Sequence, residues 1–72
     1  MIIVQSPLKR DYIISLLDGK TIDSVNFRFH KREEMSLYFE HDGSNEEAAA
    51  IAKKAIKNSE FGPALFFRVT YD

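Results

Sequence analysis

Glu40-His41-Asp42 sets an imidazole between two carboxylates, a donor set that would suit a divalent metal if the three groups could converge. Adjacent residues of an extended chain point to opposite faces, so they converge only at a bend. Asp42-Gly43 already reads as turn chemistry, and the triplet is read as a strand end and not as a metal centre. His30 and Arg28, two apart, could together hold a phosphate, but on a strand end they read first as solvated side chains. Nucleophilic catalysis has little to work with. There is no cysteine, no G-x-S-x-G elbow, and Ser6 and Ser44 are each explained as helix caps. The glycines stand alone at Gly19, Gly43 and Gly62, so no glycine-rich loop is present to cradle a phosphate. A domain of this length also offers little depth in which to shift a carboxylate pKa. The expectation is therefore a protein with no catalytic activity, no cofactor and no metal.

The residues that stand out are expected on the exposed side of a sheet: Arg28, His30, Tyr38, Phe66 and Arg68. Two aromatic rings and two guanidinium groups on one open face are the ingredients of a stacking platform for single-stranded nucleic acid. That combination is similar to RNA-recognition domains of the β-α-β-β-α-β architecture. The third strand, MSLYFEHD, lacks their basic-glycine-aromatic run, and the first strand carries no aromatic residue. Exposed apolar surface more commonly marks a protein contact. The expected partner is another protein or a second copy of this chain, with single-stranded nucleic acid as the alternative. Ten basic and eleven acidic residues leave a net charge of −1, which does not favour a polyanion.

The elements that must hold these residues follow from local pattern. Ser44-Asn45-Glu46-Glu47 is a capping box, and Ala48, Ile51, Ala52, Ala55 and Ile56 then fall on one helical stripe, so Ser44 to Ser59 is predicted as a helix. Its narrow apolar face of small residues suits a flat partner. Alternating sets supply one: Val25, Phe27, Phe29, then Met35, Leu37, Phe39, then Leu65, Phe67, Val69, Tyr71. Strands are predicted over residues 1–5, 23–30, 35–40 and 64–71, with a charged connector, His30 to Glu34, making a hairpin of the middle two.

Residues 7–18 admit two readings. As a helix, Ser6 is the N-cap, Pro7 takes the first position, Leu8, Tyr12, Ile13, Leu16 and Leu17 share a face, and Gly19 closes the end. As a hairpin, Asp18-Gly19 is the turn. The cap, the proline and the period agree with one another, and the helix is preferred.

The fold class is then α+β, a two-layer ferredoxin-like βαββαβ domain with both helices on one face of an antiparallel sheet. The hairpin reading would give instead an antiparallel meander covered by the single helix at 44–59. In length and spacing the chain resembles the small ferredoxin-like domains that deliver copper. The loop Gln5-Ser6-Pro7-Leu8 holds no cysteine pair, so the resemblance covers architecture alone. Residues 1–72 make one domain, with 44% hydrophobic and 29% charged residues arguing against disorder. Absent cysteines fit a reducing compartment, and no stretch approaches a signal sequence or membrane span, so a cytoplasmic protein with no membrane partner is expected. The functional expectation is a small interaction or regulatory module, working through the open sheet face or an edge strand.

Overall fold

The computed structural model describes residues 1–72. In chain order the elements are β1 (Ile2–Gln5), α1 (Arg10–Leu17), β2 (Thr21–Ile22), β3 (Val25–Glu33), β4 (Ser36–His41), α2 (Asn45–Lys57), a 3-10 turn at Gly62–Ala64, and β5 (Arg68–Tyr71). The protein is a small α+β domain: five strands form one curled antiparallel sheet in the order β2-β3-β4-β1-β5. Ile2 and Val4 on β1, Leu37 and Phe39 on the central strand β4, and Val25 and Phe27 on β3 face the helices. They join Ile13 and Leu17 of α1 and Ala48, Ile51, Ala52 and Ile56 of α2 in a single buried cluster. The small residues of α2 let it lie close against the sheet, as the narrow stripe implied.

The helix reading of residues 7–18 holds, which removes the meander and its Asp18-Gly19 turn, but the helix starts a turn later than expected. Ser6 is not its cap. The Ser6 N–H donates to the Met35 carbonyl (3.0 Å) and its hydroxyl to the Leu8 carbonyl (2.7 Å), so the buried serine continues the strand and shapes a turn. Pro7 and Leu8 lie in that turn, with Leu8 68% exposed and off the helix face. Lys9, in the left-handed region at φ 58°, precedes the first helical residue.

The sheet departs from its predicted outline in three places. The second strand is preceded by β2, an unpredicted edge strand joined to β3 through Asp23-Ser24, whose φ angles of 49° and 69° make a two-residue turn of the type I′ class. Beyond β2, the Asp18 carboxylate accepts from the Phe29 N–H (2.9 Å) and the Gly19 N–H donates to the Phe27 carbonyl (2.9 Å), covering that edge as far as Phe29. His30 to Glu34 is not a connector: β3 runs to Glu33, and a bulge at His30 takes up one residue so that Lys31 pairs with Tyr38. Only Glu34 and Met35 turn the chain, which leaves Met35 52% exposed instead of inward. The last strand begins at Arg68 and not at Ala64, because the 3-10 turn and an extended stretch through Phe67 occupy the intervening residues. Tyr71, predicted inward, is 46% exposed at the rim of the helix-facing side.

Gly62 is needed where the chain leaves α2. A Cβ there would lie 2.2 Å from the Lys57 carbonyl oxygen and 2.3 Å from that of Ile56. Tyr12 and Phe61 meet edge to face at 5.0 Å, tying this connection to α1.

Candidate functional site

The face of the sheet turned away from the helices is built from three cross-strand rows. Arg28 stands opposite Glu40; Lys31, Tyr38, Ile3 and Thr70 form the next row; Glu33, Ser36, Gln5 and Arg68 the third. The predicted residues Arg28, Tyr38 and Arg68 are therefore all on this face, but in different rows and on three different strands. Arg28 and Arg68 lie at opposite corners and cannot converge on one group.

Most of the charge on this face is already paired. The Arg28 guanidinium donates to the Glu40 carboxylate through Nε (3.1 Å) and Nη2 (2.6 Å), and His30 Nδ1 lies 3.5 Å from the other carboxylate oxygen. The Arg28 hydrogen bond and charge hold the Glu40 carboxyl below the usual carboxylate range, with a smaller contribution from His30. Lys31 Nζ sits 4.9 Å from the centre of the Tyr38 ring and 3.2 Å from Glu33. The ring that the nucleic-acid alternative would stack on a base thus carries a lysine, and Ile3 is its neighbour on β1.

At the Asp42 end of the sheet an open cleft of about 340 Å³ lies beside this face, between Lys20, Asn26, Arg28 and Glu40. Four of its polar residues bond in pairs, Arg28 with Glu40 and Asn26 with Asp42. Asp42 accepts from the Asn26 side-chain amide (2.6 Å) and backbone N–H (2.8 Å), which together hold its carboxyl below the usual range. Glu40, His41 and Asp42 diverge as strand alternation demands: Glu40 turns to Arg28, Asp42 to Asn26, and His41 Nε2 to Asn45 Oδ1 at 2.8 Å. Asn45 also donates to the Asp72 carbonyl (3.2 Å), so one amide joins β4, α2 and the end of β5.

Phe66 and the strand beside it differ in kind. Phe66 is 89% exposed and lies before β5, outside the three rows. Arg68 makes no ion pair or side-chain hydrogen bond. The backbone of β5 is also half unused. Because Ser6 pairs with Met35 through its N–H, the backbone groups of Ile2 and Val4 face β4 and those of Ile3 and Gln5 face β5. Arg68 and Thr70 are the residues opposite Gln5 and Ile3, so Val69 and Tyr71 direct their N–H and C=O groups away from the sheet. One sheet edge is covered as far as Phe29 by β2 and the Asp18-Gly19 corner; the β5 edge is bare along its length.

Comparison with known proteins finds no match. Neither a family model, nor a curated protein, nor a solved structure is similar enough to this chain to lend it a family or a function.

Sequence reasoning placed Arg28, His30, Tyr38 and Arg68 on the correct face but missed what occupies them. Glu40 and Lys31 are the residues that neutralise Arg28 and cover Tyr38, and both follow from a register that the bulge at His30 sets. Val69 and Tyr71, as carriers of free backbone groups, were also missed. The only local signal was a run, Val69-Thr70-Tyr71, of strong strand formers with no lysine, proline or glycine to guard it.

No helix is long and apolar enough to cross a membrane.

Proposed function

We propose that this chain is a small non-catalytic interaction module that binds another protein, or a second copy of itself, on the β5 side of its sheet. The observation that carries the reading is Phe66, 89% exposed beside an edge strand whose outer side has no backbone partner. A large exposed ring next to unpaired strand groups supplies an apolar anchor and a hydrogen-bonding template together. The lack of cysteine supports a cytoplasmic setting for it.

The same reading takes the fold as a ferredoxin-like βαββαβ unit with one added edge strand. What supports it is that, leaving β2 aside, the order β3-β4-β1-β5 sets the strand after α1 on one edge, the strand after α2 on the other, and β1 inside.

The experiment is capture of partners by the tagged chain from its own cell, with and without nuclease, beside a Tyr38→Ser/Phe66→Ser double variant. The expected result is a protein that survives nuclease and is lost with the double variant while its melting temperature stays near that of the parent. Recovery of nucleic acid, with all bound protein released by nuclease, would replace this reading by the single-stranded nucleic-acid one.

A further inference from the structure

The bare edge is self-complementary, and we infer that its occupant is a second copy of this chain, joined β5 to β5 across a two-fold axis that passes beside Thr70. The inference rests on the edge-strand part of the interaction reading above, the unpaired backbone of β5 and not the Phe66 ring, and narrows that part to one partner and one register. Val69 and Tyr71 are the residues whose backbone groups point outward, so an added antiparallel strand must set outward residues opposite outward residues. With Thr70 facing its own copy, Val69 lies opposite Tyr71 of the partner subunit, and each such pair exchanges two main-chain hydrogen bonds. The side chains agree with that register. Arg68, Thr70 and Asp72 alternate onto the outer face, and Arg68 then stands opposite the partner's Asp72, twice over.

Charge selects this alignment over its neighbour. Sliding by two residues sets Arg68 opposite Thr70 of the partner subunit and breaks both opposite-charge contacts. Both groups are available. Arg68 is exposed and unpaired, and the Asp72 carboxylate is 70% exposed with only the Met1 amino group near it, at 3.5 Å. On the inner side, Val69 and the partner's Tyr71 make the aromatic and β-branched pair that antiparallel strands favour, adding cover to a Tyr71 ring that is 46% exposed. The contact is isologous, so it closes as a dimer and does not propagate into a fibre. Two curled sheets become one.

The test is sedimentation of the wild-type chain, of Arg68→Asp, of Asp72→Arg, and of an equimolar mixture of the two variants. The wild type is expected to dimerise at high micromolar concentration. Each single variant sets like charges opposite one another at both contacts and is expected to dissociate roughly tenfold more readily or worse. In the mixture each chain carries one sign only, both contacts become attractive again, and a mixed dimer is expected at wild-type strength. Hydrogen exchange on the wild type gives an independent reading that needs no variant: the Val69 and Tyr71 amides should be protected at high concentration and lose protection on dilution. A wild type that stays monomeric overturns the pairing while leaving the edge open to a different protein. A dimer that ignores both charge variants, or that leaves those two amides unprotected, overturns it too and assigns self-association to another surface. Loss of partner capture in the wild type itself, with no self-association, would remove the interaction reading as a whole.

Discussion

Gly62 and Ser24 show two different demands on a backbone. Gly62 meets a demand for room, since an added Cβ would press on two carbonyl oxygens at the end of α2, neither of which is the far end of a flexible side chain. Gly62→Ala should therefore behave as overpacking, with a loss of about 1–3 kcal/mol, read as a lower urea midpoint at unchanged slope. Ser24 is the converse, a residue with a Cβ at φ 69° in a hairpin turn where glycine is usual. Ser24→Gly should raise stability, by up to about 1 kcal/mol less the extra entropy glycine adds to the unfolded chain. A fall in melting temperature on that change would show that the Ser24 side chain has a role beyond the turn. The two depressed carboxyls make an acid limb. A group whose pKa is lower folded than unfolded adds stability that is complete above the ordinary carboxylate range near pH 4 and is lost as pH falls through the folded value. Glu40, held by Arg28, and Asp42, held by Asn26, both act in that sense. Melting temperature measured downward from pH 7 should hold level and then drop below about pH 4, and Glu40→Gln or Asp42→Asn should shallow that drop. Identical acid limbs in both variants and the parent would remove these two pairs from the account.

The elements differ in how local their causes are. Helix α2 is determined by residues within it: the Ser44 hydroxyl accepts from the Glu47 N–H at 3.1 Å, acidic Glu46 and Glu47 lie in the first turn, and Lys54 and Lys57 in the last. That is why its span could be read from sequence to within a residue or two at each end. Ser44→Ala should cost about 1 kcal/mol, measurable by thermal or urea unfolding, because the Glu47 donor then has no protein acceptor. Strand β2 was not legible, since its turn is Asp23-Ser24 without glycine, while the glycine-bearing Asp18-Gly19 nearby looked like the better hairpin signal. The second half of β3 was hidden by its composition. His30-Lys31-Arg32-Glu33 reads as a solvated connector, and only pairing with β4 shows that a bulge keeps Lys31 over Tyr38 while Arg32 swings to the helix side, 3.7 Å from Asp11. The candidate site was legible to the same degree as the register. Which residues face outward follows from alternation within one strand, but which of them are neutralised depends on the strand beside it.

A 72-residue chain with one core has little stability in reserve. At the usual 0.05–0.15 kcal/mol per residue it holds roughly 4–11 kcal/mol in all. Two phenylalanines divide that whole between folding and contact. Phe39 is fully buried on β4, touches Phe29 edge to face at 5.7 Å, and sits on the central strand of the sheet, between β3 and β1. Removing it costs about 3–5 kcal/mol, most of the smaller figure. Phe66 is 89% exposed, and its removal from an isolated monomer should change stability by no more than about 0.5 kcal/mol. Urea titrations of Phe39→Ala and Phe66→Ala at low protein concentration should therefore separate by several kcal/mol, with Phe39→Ala unfolded or close to it. If Phe66→Ala were as damaging as Phe39→Ala under those dilute conditions, the ring would belong to the fold and could not be the anchor of a contact. If it is neutral, the fold does not need a large apolar side chain at that exposed position, and the contact reading accounts for what the core leaves unexplained.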